Sequence, residues 1–385
     1  MKITIVLGPQ WPLPPTGFGA VEKVWVELAE VFATQGHEVC VIGRGVNGAA
    51  ERLLPSGVRV RERKGFSASG SLWLDLCMDF SYALRVFLAI PRSDIVVTNS
   101  FSLPVVLTPI KRWKGRVVVH VARFPKGQMV LYRGADAVQA ISGAVAGAIV
   151  QQCRALQRKV SVVGYPVNLD VYTPPRTPRR MPAAPLILYV GRVHPEKGLH
   201  LLVAAFGKVL ERIPGAKLRI VGPAEAERGG GGIAYLASLQ AMAEGRPVEF
   251  AAAVSDPAML ASAYRQADCF CYPSLAEKGE AFGLSVLEAM ATGLPCVVSG
   301  LACFAEFMVS GVDGLAFDHS ASEPHLALAE ALYSILSDPP YAGTLGRNAR
   351  ARAEEFAIDK IASSYLALFS KLAHPPTQTA ASQAN

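Results

Sequence analysis

The chain has 385 residues, more than one ordinary domain holds, and its 51% hydrophobic content is enough to fill two cores. No apolar run reaches the ~18–20 residues of a membrane span, and MKITIVLGP lacks the charged start and cleavage site of a leader peptide. Within the net charge of +7, residues 1–170 carry 20 Lys+Arg against 11 Asp+Glu, net +9, and residues 171–385 carry 18 against 20, net −2.

The first forty residues read as strand, loop, helix, strand. KITIVLG is a short apolar run ended by Gly-Pro, and QWPLPPTGFG is a Pro/Gly loop. AVEKVWVELAEVFATQG places Val21, Val24, Leu28, Val31 and Phe32 at helical spacing and stops at Gly36. HEVCVIG, DIVVTNS, GRVVVHVA and ADAVQAIS follow as short strands, the last leading into a helical AVAGAIVQQC. The segment 164–185 holds seven prolines or glycines, so it is not expected to supply a core element and reads as a connection between domains. The alternation then restarts. PLILYVGRV, AKLRIVG, VEFAAAV, ADCFCYPS and LPCVVS are strands between helices, GGGG at 229–232 reads as a flexible loop tip, and HPPTQTAASQAN as a disordered tail. Strands alternating with helices predict an α/β chain of two Rossmann-like halves.

In open parallel sheets, ligands bind beyond the C-terminal strand ends against helix N-termini. That rule selects three places. Gly17 and Gly19 open the first helix, but a Pro-rich insert precedes them and a third glycine is missing, so the dinucleotide fingerprint is not met. GRVHPEKG sets Arg192 and Lys197 on the first crossing of the second half, where a guanidinium fork and an ammonium suit phosphate oxygens. EKGEAFGLSVLEAMATG sets Glu280 and Glu288 around a loop that becomes a helix near Leu284. A carboxylate accepts two hydrogen bonds and clamps vicinal hydroxyls, so acids for hydroxyls beside cations for phosphates is the chemistry of a nucleotide sugar. His120 ends the strand VVVH and is either a cleft or a core histidine. The seven cysteines form no C-x-x-C pair and no D-x-D motif occurs, which predicts reduced thiols and no metal. The basic excess is densest in RVRERKGF and KRWKGR, around Trp113. It reads as solvated loops, or as a surface drawn to anionic lipid or a phosphate-bearing acceptor at about 1 kcal/mol per basic residue.

Together these residues resemble the family 4 glycosyltransferases. Glu280-AFGLSVL-Glu288 looks like the E-x7-E signature of that family. YVGRVHPEKGLHLLVAAF, GAVEKVWVELAEVFATQGHEV and FAIDKIASSYLALF are similar to further family segments, in order and at family spacing. Ala302 and Cys303 replace a usual glycine pair, with Glu306 kept, and Ala252 and Gly164-Tyr165 are further departures.

The resemblance implies a GT-B fold, two Rossmann-like domains facing a central cleft. It divides the chain into an acceptor domain 1–168, linker 169–185, donor domain 186–355, a crossing-back helix 356–372 and tail 373–385. It implies metal-independent, retaining transfer from a nucleoside-diphosphate sugar to a glycan, lipid-linked or other hydroxyl acceptor, without a resident cofactor. Arg192 and Lys197 would meet the diphosphate and Glu288 the ribose. Glu280 and the backbone of Ala281, Phe282, Gly283 and Leu284 would serve the sugar and phosphates. His120 would stand on the sugar side, and Gly17 and Gly19 on the acceptor or phosphate side. A sugar-nucleotide epimerase or phosphorylase of the same fold, or a non-catalytic nucleotide-sugar binder, is the alternative. The expected setting is cytoplasmic, peripheral at the inner face of the plasma membrane, with no nucleic-acid partner.

Overall fold

A computed structural model describes residues 1–13, 19–46, 50–67, 69–176 and 184–374. Gly17, residues 177–183 of the expected linker and the tail from 375 onward lie outside the described residues. The chain separates into two compact units. One comprises Met1–Ile141, Val145–Gly164 and the chain from Ile358 onward, and the other Ser142–Ala144 and Tyr165–Ala357.

The first unit is built on strands β1 (Lys2–Val6), β2 (Pro12–Leu13), β3 (Glu38–Gly45), β4 (Glu51–Leu53), β5 (Arg59–Arg63), β6 (Ile95–Thr98), β7 (Arg116–Val121), β8 (Ala137–Ala140) and β9 (Val160–Val162). Their order is β4-β5-β3-β1-β6-β7-β8-β9, with β2 beside β3, and among the described strands only β4 runs antiparallel to its neighbour. The central strands β1, β6 and β7 are apolar on both faces because helices cover both. The helix Ala20–Thr34 turns Val24, Trp25, Leu28 and Phe32 inward. The last helix, Ile358–Ala373, turns Ile361, Tyr365 and Phe369 inward and packs against it, with Trp25–Tyr365 and Phe32–Phe369 ring centroids 4.9 and 6.0 Å apart. The chain thus leaves this unit near residue 164 and returns to complete its core, burying aromatic surface at about 25 cal/mol per Å².

The second unit carries β10 (Leu186–Val190), β11 (Lys217–Val221), β12 (Val248–Ala251), β13 (Cys269–Tyr272), β14 (Cys296–Ser299) and β15 (Leu315–Phe317). They are parallel in the order β12-β11-β10-β13-β14-β15, the doubly wound arrangement whose order reverses between β10 and β13. Ile187 and Leu188 pair with Cys269 and Phe270 across that point.

One expectation needs correction here. The stretch from Gly164 was read as unable to form core, yet Tyr165, Val167 and Tyr172 are buried in the second unit. Val167 bridges to Ala357, and Tyr172 meets Tyr264 edge-on at 6.0 Å. Proline and glycine exclude regular hydrogen-bond ladders, but they do not stop the aromatic residues between them from packing.

Candidate functional site

The second unit gathers eight of the candidate residues, Arg192, Lys197, the five from Glu280 to Leu284, and Glu288, after the two strands between which its order reverses. After β10 the backbone continues pairing with its neighbour, the Gly191 N–H donating to Val221 O at 3.0 Å and the Val193 N–H to Pro223 O at 2.9 Å. Pro195–Lys197 then forms one short turn, with His194 Nδ1 accepting from the Glu196 N–H at 3.3 Å. Gly198 follows at φ 67° and starts the helix Leu199–Arg212.

The loop after β13 is laced to this crossing. The Leu275 N–H donates to Glu196 O at 2.8 Å, and the Ser299 hydroxyl at the end of β14 donates to Ser274 O at 2.6 Å. This contact sets Lys197 against Glu280, with Nζ 2.6 Å from Oε2 and side chains only 6% and 9% exposed. The ammonium also lies 5.5 Å from the centre of the Tyr272 ring. Tyr272 stacks on Tyr189 at 5.5 Å, and burial, with the Glu280 charge, pushes its hydroxyl well above the usual phenol range. A buried, paired carboxylate and ammonium are a preset charge site that an incoming anion or hydroxyl can re-pair.

Beyond Glu280 the chain turns at Gly283, φ 89°, into the helix Leu284–Ala291. A Cβ at Gly283 would stand 2.5 Å from the Phe304 ring, so the turn needs glycine for two reasons. The N-cap residue Gly283 has no side chain to cap this helix and its first turn has no acidic residue, which suits an anion at its N-terminus. Ala281 and Phe282 are buried. The Phe282 ring packs against Phe307, Tyr165 and Phe356 at 5.0, 5.6 and 6.0 Å, so these two residues offer a ligand their backbone. Glu288, one turn into the helix, is buried and accepts from the Tyr264 hydroxyl at 3.1 Å.

Arg192 is held differently. It is 42% exposed, with Nη2 2.6 Å from Glu196 Oε1 and Nη1 donating to Gly229 O at 2.6 Å. That second bond corrects the reading of 229–232 as a flexible tip. The N–H groups of Gly229, Gly230, Gly231 and Gly232 donate to Ala226, Glu225, Val193 and Ala224 at 2.9, 2.9, 2.7 and 2.8 Å. Four consecutive glycines here permit close backbone approach and not slack.

His120 and Gly19 lie in the first unit. His120 is 3% exposed, its Nδ1 facing Gln139 Oε1 and its ring edge-on to Trp25 at 5.2 Å. Burial pushes its pKa down to about 4, so the imidazole is neutral near neutrality. Gly19, at φ 96°, starts the first helix with the Glu22 carboxylate where a Cβ would stand. Glu22 was missed in the sequence. It is buried, and that burial pushes its carboxyl up against the pull of its own N–H and the Arg123 charge. Glu196 was missed too, although its i+4 spacing from Arg192 is a local signal for the pair, whereas nothing local links Tyr264 to Glu288.

Both halves of the chain are similar to known proteins. The family described as Glycosyltransferase Family 4 matches residues 21–171, and Glycosyl transferases group 1 matches 178–352. The D-inositol 3-phosphate glycosyltransferase of Segniliparus rotundus is 29% identical over 252 residues, 63% of this chain and 54% of the relative. The chain spans little more than half the length of that relative and of its Kribbella flavida counterpart, 54% and 58%. The phosphatidyl-myo-inositol mannosyltransferase of Mycobacterium tuberculosis is 30% identical over 357 residues, 83% of this chain and 84% of the relative. Among solved structures, sucrose-phosphate synthase from Thermosynechococcus elongatus superposes with a TM-score of 0.80 at 23% identity, covering 97% of this chain and 99% of the other. Anabaena Alr3699/HepE in complex with UDP and glucose has a TM-score of 0.70 at 18% identity, covering 95% and 99%. These likenesses bear out the GT-B fold. With both halves matched in order and a relative aligned over most of its length, the chain belongs to glycosyltransferase family 4.

Proposed function

We propose that the chain is a retaining glycosyltransferase that moves a sugar from a nucleoside diphosphate to a hydroxyl acceptor without a metal. The observation that carries this reading is the buried Lys197–Glu280 pair, set with Arg192, the Gly283 turn and Glu288 where the strand order reverses. Arg192 and Lys197 meet the diphosphate, Glu288 the ribose hydroxyls, and Glu280 and the backbone of 281–284 the sugar and its phosphate. The bond between the sugar's anomeric carbon and the phosphate oxygen breaks. A bond to the acceptor oxygen forms on the same face, and the departing phosphate takes the acceptor's proton. Neutral His120 and Gly19 belong to the sugar and acceptor side. The names of the bacterial relatives favour an acceptor bearing inositol phosphate, free or lipid-linked, and the proposed product belongs to glycolipid or surface polysaccharide synthesis.

A thermal-shift panel of uridine, guanosine, adenosine and thymidine diphosphates tests this. One of them should stabilise the wild-type chain by about 2.7 kcal/mol at a hundredfold excess over Kd. Arg192→Ala should weaken the diphosphate while sparing the nucleoside, and Glu288→Gln should weaken both. A chain that no nucleotide stabilises would remove the donor site.

The acceptor side is proposed to work at an anionic membrane surface. No helix among the described residues is long and apolar enough to cross a membrane. The helix Leu72–Ala89 nonetheless exposes Trp73, Cys77, Phe80, Leu84 and Leu88 at spacings of four, three, four and four, one stripe, with Trp73 77% and Leu88 80% exposed. Its C-terminal end is ringed by cations, Arg61 donating to Ala89 O at 2.7 Å and Lys114 to Ile90 O at 2.7 Å. An apolar stripe with basic neighbours fits a bilayer of anionic lipid. In flotation, vesicles with phosphatidylglycerol should carry the chain up and neutral ones should not. The triple change Trp73→Ser, Phe80→Ser and Leu84→Ser should lower bound protein at least about tenfold, at ~1.5–3 kcal/mol per large apolar side chain. Equal flotation of variant and wild type would exclude this helix.

A further inference from the structure

The tetraglycine turn 229–232 lies outside both signature segments, yet it is built against the most exposed cation of the site. The Gly229 carbonyl accepts from Arg192 Nη1 at 2.6 Å, and the Gly231 N–H donates at 2.7 Å to the carbonyl of Val193, the next residue along. The turn therefore holds both the guanidinium and the backbone that bears it. Side chains cannot enter. A Cβ on Gly230 would run into the Ala224 carbonyl, and one on Gly231 would come within 2.7 Å of Pro195 Cδ and 3.1 Å of Tyr235 Cδ1. Gly229, at φ 78°, would bring its Cβ to 3.2 Å from Arg192 Cδ and Nη1.

We infer that this turn is the positioning element that sets the plane of the Arg192 guanidinium for a donor diphosphate. A guanidinium has five N–H donors in a rigid plane. One is tied to the Gly229 carbonyl and one to the Glu196 carboxylate, which together fix plane and position and leave donors for phosphate oxygens. The carbonyl anchor orients the cation without neutralising it, and the Glu196 carboxylate is the one paired charge with which an incoming phosphate shares the guanidinium. Fixing the fork beforehand removes the entropy that a free arginine would lose on binding. The turn thereby acts on the diphosphate and not on the nucleoside. This inference rests on the donor reading of Arg192.

The test measures Kd for uridine diphosphate against uridine, and guanosine diphosphate against guanosine, by calorimetry. Gly231→Ala should weaken the diphosphate that binds by about tenfold and leave its nucleoside unchanged. Gly229→Ala, whose three nearest Cβ neighbours are all atoms of the Arg192 side chain, serves if Gly231→Ala does not fold. Gly245→Ala, also at positive φ but with nothing within 4 Å, should change neither ligand. In an Arg192→Ala background the Gly231→Ala effect should vanish, because it acts through that side chain. Equal weakening of diphosphate and nucleoside, or an effect that persists without Arg192, overturns the inference. If Arg192→Ala itself binds the diphosphate as wild type does, the donor reading fails instead. If Arg192→Ala weakens it but neither glycine variant does, only the role of the turn fails.

Discussion

Lys197→Met is expected to lower folding stability by about 3–5 kcal/mol, the cost of leaving one partner of a buried ion pair alone. The Lys197 ammonium and the Glu280 carboxylate are 2.6 Å apart and almost wholly withdrawn from water. Removing the cation leaves the buried carboxylate with the neutral Tyr272 hydroxyl in place of an opposite charge, where solvent cannot compensate it. The double change Lys197→Met with Glu280→Leu should recover most of the loss, because two apolar side chains of similar size replace two desolvated charges. Urea denaturation of the two variants and wild type decides this. A single-variant loss below about 1 kcal/mol would mean that the pair is solvated. Donor turnover separates stability from chemistry. The double variant should stay at least about a hundredfold below wild type despite its regained stability, since the phosphate loses a cation.

Gly198→Ala is expected to be the most damaging glycine change in the loops after β10 and β13. Gly198 has φ 67°, and its Cβ would collide with the carbonyl oxygen of Pro273, backbone against backbone. The positive φ alone costs about 1–2 kcal/mol. The collision adds to it, because the loops after β10 and β13 are joined by the bond from Leu275 N–H to Glu196 O and cannot part without breaking it. Gly36→Ala provides the comparison, with φ 84° and nothing within 4 Å, so it should show the conformational cost alone. A shift of the urea midpoint for Gly198→Ala equal to that for Gly36→Ala would remove the steric part. Donor KM should rise for Gly198→Ala and not for Gly36→Ala, because Lys197 immediately precedes the strained residue.

Strand identity was readable because buried parallel strands are near-continuous apolar runs, and KITIV, LILYV and CVVS have no other use for so many branched side chains. The site was readable as far as residue type and order go. Arg192 and Lys197 follow one strand, and Glu280 and Glu288 follow another, at the spacing on which the family resemblance rests. The 229–232 turn was misread because glycine permits both slack and close approach, and composition does not separate them. Gly164–Tyr172 was misread because turn-formers mask the packing of the residues between them.

By itself the sequence determined two α/β units, the elements within them and the charged and acidic groups that suit a nucleotide sugar. These are local properties, written in periodicity and in side-chain chemistry. Only the tertiary structure decided that Lys197 is matched to Glu280, that Tyr264 donates to Glu288, and that Gly229 holds Arg192. Each of those contacts joins residues 24 or more positions apart in the chain. They depend on β10 and β13 being neighbours at the reversal of strand order, and on backbone approaches that only glycine allows. No local rule encodes a distance between two loops; the packing of the sheet and its helices sets it.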